Sequence, residues 1–246
     1  MDYKCVADYI QGELSSFLAN KKAIIGISGG LDSAVVAYLC ANAVGKDRVI
    51  GVQMPYLNQS TEHGTLVIRE LGVYDCKHNI CPMVISFPSS LSAFSKLNNG
   101  NIRARVRMTI LYAMAGRING LVIGTSNKTE FLLGYFTKFG DGGCDIEPIG
   151  DLYKTEIFEL AKYLGVPDCI INKAPSAELW EGQTDEQEIG MTYTEMDAIL
   201  KSLENKDLPL SVLRDLYGAD KIKNILTRIV NSEHKRNMPK ILSVKK

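Results

Sequence analysis

The feature that most constrains the fold is a short apolar run that ends in a glycine-rich turn and continues as a helix. Residues 23–27 read Ala-Ile-Ile-Gly-Ile, which favours a strand buried on both faces. Residues 28–33 read Ser-Gly-Gly-Leu-Asp-Ser, and residues 34–44 are apolar and rich in alanine. A strand, a tight turn and a helix in this order predict a parallel α/β unit, with the helix N-terminus at the carboxyl end of the strand.

The rest of the chain alternates short apolar runs with segments of helical periodicity. This alternation predicts a single α/β domain over residues 1–246, with a Rossmann-like open parallel sheet and helices on both faces. Two long loops are predicted at 136–145 and 172–191. The predicted strands are 23–27, 48–54, 79–87 and 121–124, and the predicted helices are 6–18, 34–44, 60–71, 102–118, 153–164, 193–203 and 220–238.

Composition argues against several classes of protein. Lys and Arg together number 28, as do Asp and Glu, so the chain has no overall attraction to nucleic acid or to an anionic membrane. The six cysteines form no C-x-x-C pair, which argues against a zinc or iron–sulfur site. No apolar run reaches the ~18 residues of a membrane span, and the first residues are not signal-like. We therefore expect a protein of the reducing cytoplasm with free thiols.

The turn at residues 28–33 has the properties of an anion site. Paired glycines let the backbone approach an anion, and the helix N-terminus supplies N–H groups and a positive dipole end. The lysine of a Walker A loop is absent, and so is the G-x-G-x-x-G spacing of a dinucleotide loop. Asp32 would repel a phosphate unless a cation lay between them, which indicates Mg²⁺. The alternative is an ordinary turn in which Asp32 is the N-cap of the helix.

Residues 28–33 resemble the S-G-G-x-D-S loop of the ATP pyrophosphatases, whose members cleave ATP between its α and β phosphates. Four further segments resemble NAD synthetase in particular, so that the similarity spans nearly the whole chain. The resemblance implies an adenine nucleotide alpha hydrolase-like fold. The segments are 100–108 (GNIRARVRM), 124–130 (GTSNKTE), 137–146 (TKFGDGGCDI) and 175–186 (PSAELWEGQTDE).

The resemblance also implies a reaction and its site. The expected reaction is the amidation of deamido-NAD by ammonia through an acyl-adenylate, with ATP converted to AMP and pyrophosphate. Asp32 and Glu130 match Mg²⁺ ligands, and we expect Lys154 and Asp141 to be catalytic, with Asp141 stabilising ammonium or accepting its proton. Matches to ATP-binding positions are Gly26, Ile27, Ser28, Gly29, Gly30, Leu31, Asp32, Ser33, Thr125, Lys154 and Ser176. Matches to deamido-NAD-binding positions are Arg105, Lys138, Asp145, His234 and Lys235.

Ordinary structural roles stay open for these residues. The arginines at 103, 105 and 107 could form one solvated helix face, Glu130 could complement a helix dipole, and Asp141 and Asp145 could be ordinary turn aspartates. Lys138 and Lys154 could be surface lysines, Ser176 could be a loop hydroxyl, and His234 with Lys235 could belong to a loosely held chain end.

The resemblance further implies a homodimer whose dinucleotide site lies near the subunit interface. Glutamine-dependent relatives carry an additional glutaminase domain, and here the synthetase similarity occupies the chain, so ammonia is the expected nitrogen source. The loop at 172–191, which contains Trp180, is expected to close over the adenylate and exclude water, or Trp180 simply docks that loop on the core.

Two other functions remain as alternatives. A tRNA-modifying ATP pyrophosphatase is disfavoured by the neutral charge and the absence of C-x-x-C. A non-catalytic nucleotide-binding module is disfavoured because both Asp32 and Glu130 are present.

Overall fold

The computed structural model describes residues 1–86, 95–176 and 184–244 of the chain. Its centre is a four-stranded sheet in which every neighbouring pair of strands is parallel. The strands lie in the order β3-β2-β1-β4. They are β1 (Lys22–Gly26), β2 (Val49–Gln53), β3 (Tyr74–Lys77) and β4 (Gly120–Ile123).

Helices connect these strands and follow them in the second half of the chain. The first five are α1 (Tyr3–Leu18), α2 (Leu31–Val44), α3 (Glu62–Leu71), α4 (Cys81–Ile85) and α5 (Lys96–Ile118). The next four are α6 (Lys128–Leu133), α7 (Lys154–Leu164), α8 (Asp168–Ile171) and α9 (Asp185–Ile189). The last three are α10 (Tyr193–Asn205), α11 (Leu210–Tyr217) and α12 (Ala219–Asn231), and short 3₁₀ turns lie at Lys46–Arg48 and Glu233–Lys235.

Both faces of the sheet are covered, because successive strand residues point to opposite sides. Ala23 and Ile25 of β1 pack with α1, α2 and α7 on one face. Ile24, between them in sequence, packs with α5 on the other face. The predicted fold class, a parallel sheet between two helical layers, is therefore confirmed.

A third apolar cluster lies beyond the sheet among the C-terminal helices. It contains residues from each of the helices α9, α10, α11 and α12. Leu133 of α6 and Tyr153, which immediately precedes α7, also belong to it. Since α6 and α7 begin near the carboxyl end of the sheet, this cluster forms a helical platform beside that edge. None of the helices in the described part of the chain has the length and apolar character needed to cross a membrane.

The predicted third strand at 79–87 is wrong. The strand in this region is β3 at Tyr74–Lys77, and most of the predicted segment within the described residues forms α4. As the outermost strand, β3 exposes Tyr74, Asp75 and Lys77, so it lacks the continuous apolar run of a central strand. The apolar residues at 80–85 instead begin a helix with Pro82 in its first turn, where proline is well tolerated.

Three further differences concern the helices. The predicted helix at 220–238 ends at Asn231 and is followed by a 3₁₀ turn, and α11 was not predicted. Helix α2 begins at Leu31, three residues before the predicted start. This earlier start brings Asp32 into the helix and determines the geometry of the turn after β1.

A close contact between two backbones positions that turn. Gly29 has a φ of +81°, and a Cβ there would lie 3.0 Å from the backbone nitrogen of Gly64 in α3. A Cβ on Gly64 would in turn lie 3.0 Å from Oε1 of Gln53 and 3.3 Å from the carbonyl oxygen of Ile27. Glycine at these positions lets α3 rest directly against the turn.

Substitution of Gly64 tests this contact. We expect Gly64→Ala to lower the free energy of unfolding by about 1–3 kcal/mol, because the added methyl group would push α3 from the end of β1. Gly12→Ala in α1 is the matched control, since nothing lies within 4 Å of its Cβ position. Removing an exposed helical glycine should stabilise the protein by about 0.5–1 kcal/mol. Urea unfolding measures both, and equal effects of the two substitutions would contradict the close contact.

Candidate active site

The turn after β1 forms one side of a cavity at the carboxyl edge of the sheet. The Ser28 and Ser33 hydroxyls lie 3.0 Å apart, and the Gly30 N–H donates to the Ser28 hydroxyl at 3.1 Å. Gly30 is the N-cap of α2, and no side chain caps this helix. The first N–H groups of α2 therefore face the cavity, as expected of a site for phosphate.

The position of the cavity follows from the sheet topology. From β1 the chain proceeds to one side through β2 and β3, and β4 then pairs with the opposite side of β1. The ends of β1 and β4 therefore form a topological switch point, the usual location of a ligand in an open parallel sheet. The turn with Asp32 and the segment with Glu130 lie on its two sides.

Asp32 is held by ionic and polar partners and does not cap the helix. One of its carboxylate oxygens forms an ion pair with the ammonium of Lys154. The other accepts a hydrogen bond from the Asn127 side-chain amide at 3.3 Å. The alternative interpretation of Asp32 as N-cap is therefore wrong, because Gly30 occupies that position.

Glu130 lies across the cavity in the first turn of α6. It forms a capping box with Asn127, in which the Glu130 N–H donates to Asn127 Oδ1 at 3.0 Å and the Asn127 N–H donates to Glu130 Oε2 at 3.3 Å. The alternative role of Glu130, an acid that complements the helix dipole, is thus also correct, since its carboxylate lies at the start of α6. Burial, and then repulsion from Asp32, raise the pKa of Glu130 well above its usual value.

Lys154 is the charged centre of the cluster. It is only 2% exposed and begins α7, so the alternative that it is a surface lysine is wrong. Burial opposes its positive charge, but attraction to Asp32 and Glu130 outweighs this effect and leaves the pKa of Lys154 raised. Its ammonium also lies 5.3 Å from the centre of the Tyr193 ring, a cation–π contact.

The cavity has a volume of about 490 Å³. Thr125, Asp141 and Ser176 line it together with the charged cluster. Lys235 also lines it, while its ammonium donates to the carbonyl oxygens of Gly134 and Phe136 at 2.7 Å each. The predicted residues that line the cavity are Gly26, Ile27, Ser28, Gly30, Leu31, Asp32, Ser33, Thr125, Glu130, Asp141, Lys154, Ser176 and Lys235.

Asp141 contacts the loop that carries it as well as the cavity. Its Oδ1 accepts the Thr137 N–H at 2.9 Å, as in the predicted alternative of a turn aspartate. Desolvation by the surrounding protein raises the pKa of Asp141. The Thr137 hydrogen bonds and the charge of Lys235 oppose this effect. Asp141 is thus a solvent-accessible carboxylate at the cavity wall.

Five of the predicted site residues do not line the cavity. Gly29 faces α3, as described above. Arg105, Lys138 and His234 form a separate group, in which Arg105 and His234 are exposed and Lys138 is half-buried. Arg105 Nε donates to the Lys138 carbonyl oxygen at 3.3 Å, and Lys138 Nζ donates to that of His234. We call these three residues the outer basic cluster. Asp145 accepts the Val122 N–H at 2.7 Å and the Tyr112 hydroxyl at 3.2 Å, so it holds its loop against β4.

The three arginines of α5 do not share one solvated face. Arg107 Nε donates to the Met54 carbonyl oxygen at 3.0 Å, and the Arg103 guanidinium lies 3.8 Å from the centre of the Tyr56 ring. These two residues, one helical turn apart, hold the segment after β2. Arg105 points to the Lys138 loop instead, as a spacing of two residues on a helix requires.

The carboxylates at the switch point are suited to a magnesium ion. Asp32 and Glu130 offer hard oxygen ligands, and their mutual repulsion, which with burial raises the pKa of Glu130, is what a cation between them would relieve. In the described part of the chain, no group of three or more His, Cys, Asp or Glu side chains is arranged to hold a metal ion alone. A two-carboxylate site is what Mg²⁺ uses when phosphate oxygens and water complete its shell.

Sequence reasoning missed several residues of the site. Asp185 and Glu188 line the cavity from α9, and the Tyr193 hydroxyl donates to Asp185 Oδ2 at 2.8 Å. Arg228 of α12 lines it as well. Asp185 lies in a segment whose similarity was recognised, but nothing local indicates that a residue of this polar loop returns to a site that contains Asp32 and Glu130. Trp180, with residues 177–183, lies outside the described residues.

The chain is similar to known proteins over nearly its whole length. The sequence profile of the family described as NAD synthase matches residues 3–239. The NH(3)-dependent NAD(+) synthetase of Fusobacterium nucleatum is 44% identical, with the alignment covering 96% of each chain. A solved NMN synthetase from Francisella tularensis superposes with a TM-score of 0.87 at 36% identity, over 99% of this chain and 100% of that one. The NH3-dependent NAD synthetase of Campylobacter jejuni, solved with nitrate, gives 0.84 at 32% identity over the same shares.

A further buried carboxylate, Glu147, lies behind the cavity wall. Its Oε2 accepts the Ser126 N–H at 2.9 Å, and its Oε1 accepts the Cys144 thiol at 3.2 Å. Gly124 leaves the room it needs, because a Cβ on Gly124 would overlap the carboxylate. Burial raises the pKa of Glu147 to about 7, against the opposing effect of these hydrogen bonds.

Glu147 should make stability depend on pH near neutrality. Its folded-state pKa of about 7 lies above the usual 4.5, so its favourable contribution is complete below pH 4.5 and is lost as pH rises through 7. We expect Glu147→Gln to remove this loss and to be more stable than the unsubstituted protein by about 1–3 kcal/mol at pH 8. Urea unfolding at pH 4.5, 6, 7 and 8 measures the difference, and a difference that does not change with pH would contradict the assignment.

Proposed function

The chain belongs to the NAD synthase family, and from this premise we propose that it converts deamido-NAD to NAD, using ammonia and ATP. It is then a ligase that forms a C–N bond. The observation that carries the proposal is the buried Lys154, placed between Asp32 and Glu130 beside an uncapped helix N-terminus. This arrangement supplies cations and N–H groups to a polyphosphate at the switch point of the sheet.

The first step activates a carboxylate, which is otherwise a poor electrophile because its leaving group is poor. An oxygen of the nicotinate carboxylate attacks the α phosphorus of ATP, and the bond from that phosphorus to the bridging oxygen of pyrophosphate breaks. The turn at residues 28–33 is proposed to hold the departing pyrophosphate. Lys154 lies where it neutralises the negative charge that develops in this step.

In the second step ammonia attacks the acyl carbon of the adenylate, and AMP leaves with the electrons of the acyl–oxygen bond. The nitrogen must lose a proton, and Asp141 is the proposed acceptor because its carboxylate lies at the cavity wall with a raised pKa. The family relatives are described as NH(3)-dependent, which supports free ammonia as the nitrogen source.

Asp32 and Glu130 are the proposed holders of Mg²⁺. When bound, the ion neutralises phosphate charge and orients the triphosphate. The protein's own contribution is to keep the two carboxylates facing each other from α2 and α6. It also keeps Lys154 charged beside them.

The deamido-NAD molecule is proposed to extend from the cavity to the outer basic cluster of Arg105, Lys138 and His234. Arg105 is exposed on α5, as are Thr109, Tyr112 and Gly116 at helical spacing. We propose that a second copy of the chain covers this face, so that the dinucleotide lies beside the interface of a homodimer.

Nicotinate mononucleotide is the second candidate acceptor. The similar structure from Francisella tularensis is described as an NMN synthetase, and the mononucleotide carries the same nicotinate carboxylate. The Fusobacterium nucleatum relative is described as an NAD(+) synthetase and is 44% identical, against 36% for the Francisella structure, which favours the dinucleotide.

An assay of the purified protein tests the proposed function. With ATP, Mg²⁺, deamido-NAD and ammonium, we expect NAD, AMP and pyrophosphate to form in equal amounts. Glutamine in place of ammonium should give little product, and nicotinate mononucleotide should give a lower kcat/KM than deamido-NAD. Chromatography of the nucleotides measures all of these. ADP as product, or no amide from either acceptor, would falsify the assignment.

The metal proposal is checked within the same assay. Glu130→Gln retains an oxygen for the capping box but removes the charge, so it should raise the Mg²⁺ concentration needed for half-maximal rate by about 10-fold or more. Glu62→Gln, in the first turn of α3, is a matched acid at another helix start. It should leave that concentration unchanged.

The homodimer proposal is tested on the exposed face of α5. Nothing lies within 4 Å of a Cβ on Gly116, so Gly116→Glu is compatible with the single chain. It should disrupt a partner helix packed on that face, and we expect sedimentation to change from dimer to monomer. Gly12→Glu, equally open within the chain but on α1, is the control and should remain dimeric. A monomeric unsubstituted protein, or a dimer unaffected by Gly116→Glu, would exclude this interface.

A further inference from the structure

Helix α10 carries a row of polar side chains directed at the starts of the two helices that hold Glu130 and Lys154. Tyr193, Asp197, Lys201 and Glu204 follow one another at intervals of four, four and three residues, which places them on one face. Lys201 pairs with Glu156 of α7 at 2.7 Å, and Glu204 pairs with Lys128 of α6 at 2.8 Å.

Asp197 is the buried member of this row, and it bonds to both helices. Its Oδ1 accepts the hydroxyl of Thr129 in α6 at 2.5 Å. Its Oδ2 accepts the backbone N–H of Thr155 in α7 at 2.8 Å. Asp197 is 2% exposed and Thr129 is fully buried, so these hydrogen bonds are shielded from water.

The Thr129 hydroxyl links the two helices directly. While it donates to Asp197, it accepts the backbone N–H of Lys154 at 3.0 Å. Thr129 immediately precedes Glu130, and Thr155 immediately follows Lys154. Asp197 therefore fixes the backbone beside each of the two charged residues.

This connection matters because Glu130 and Lys154 lie on different helices. Their separation depends on how α6 packs against α7, and α6 has only six residues, too few to be stable by itself. The negative charge of Asp197 also lies at the N-terminus of α7, where the helix dipole favours it. Asp197 opposes any change in this packing, because it accepts a hydrogen bond from each of the two helices.

Tyr193, one turn earlier on α10, supports the other end of Lys154. Its ring lies under the Lys154 ammonium, and its hydroxyl is held by Asp185. One face of α10 thus bonds to the backbone of Thr155, the residue after Lys154, and also contacts the Lys154 ammonium.

We propose that Asp197 is a positioning residue of the nucleotide site, which acts through Thr129 to set Glu130 and Lys154 in register against Asp32. Asp197 does not touch the substrates, and its effect is on the geometry in which the phosphates and the metal are bound. The proposal deepens the function proposed above and rests on it, since its readout is the amidation reaction.

Substitution of Asp197 by asparagine tests the proposal, because an amide group cannot accept both hydrogen bonds. We expect Asp197→Asn to lower kcat about 10- to 100-fold, as a displacement of about 1 Å does in a positioned site. The Mg²⁺ concentration for half-maximal rate should rise several-fold, while the KM for deamido-NAD should stay within about twofold. A merely structural role would lower the amount of active protein without changing the Mg²⁺ requirement.

Two variants of Thr129 keep the test decisive if Asp197→Asn does not fold. Thr129→Val removes the hydroxyl at nearly constant volume and should reproduce the loss of kcat and the raised Mg²⁺ requirement. Thr129→Ser restores the hydroxyl and should restore both parameters. Glu195→Gln is the control on α10, since it weakens the capping box and the ion pair with Lys221 away from the site. Its kcat should be unchanged.

The outcomes separate the two proposals. If the unsubstituted protein forms no amide, the proposed function fails. If the unsubstituted protein is active, and a folded Asp197→Asn or Thr129→Val retains its kcat and Mg²⁺ requirement, Asp197 has no positioning role. Equal losses in Thr129→Val and Thr129→Ser, or in Asp197→Asn and Glu195→Gln, would likewise overturn it.

Discussion

The structure depends on a buried group of opposite charges at the carboxyl edge of the sheet. The Lys154 ammonium is almost fully removed from solvent, and attraction to the carboxylates of Asp32 and Glu130 offsets the cost of its burial. The carboxylates in turn repel each other and need the ammonium. Because the three groups belong to α2, α6 and α7, their interaction ties the first strand–turn–helix unit to the second half of the chain.

The sheet supplies the place for this cluster, and the C-terminal helices supply its rigidity. The parallel sheet places β4 beside β1, so the turns that follow these two strands lie next to each other. The cluster also needs fixed helix starts, and these are held by the face of α10 and by the apolar platform beneath it. The scaffold thus separates two tasks: the strands select the position of the site, and the later helices limit its movement.

Sequence predicted well what is encoded locally. The unit of β1, turn and α2 is marked by an apolar run, two glycines and an alanine-rich helix, all within about twenty residues. The nearness of Asp32 and Glu130 also followed, because both come after parallel strands and such ends lie at one edge. The edge strand β3 was missed because exposure removes the apolar run that identifies a strand.

The residues that sequence missed are those defined by distant contacts. Asp197 resembles any helical aspartate in the sequence, and only its burial against Thr129 and Thr155 distinguishes it. Asp185 and Arg228 reach the cavity from helices that follow the sheet. The resemblance named Lys138 and Arg105 together, but their position outside the cavity depends on the path of the loop between β4 and α7. Patterns of three or four residues carry no information on such paths.

The hydrogen bonds from C-terminal residues to the end of α6 have a consequence for the order in which the protein folds during synthesis. Lys235 and Arg236 bond to carbonyl oxygens about 100 positions earlier, at Gly134 and Leu132. On a ribosome adding roughly 5–20 residues per second, the sheet is complete several seconds before these partners exist. A nascent chain therefore contains the turn at residues 28–33 before the residues that complete the cavity wall have been added. We expect that wall to form only after residue 236 has left the exit tunnel.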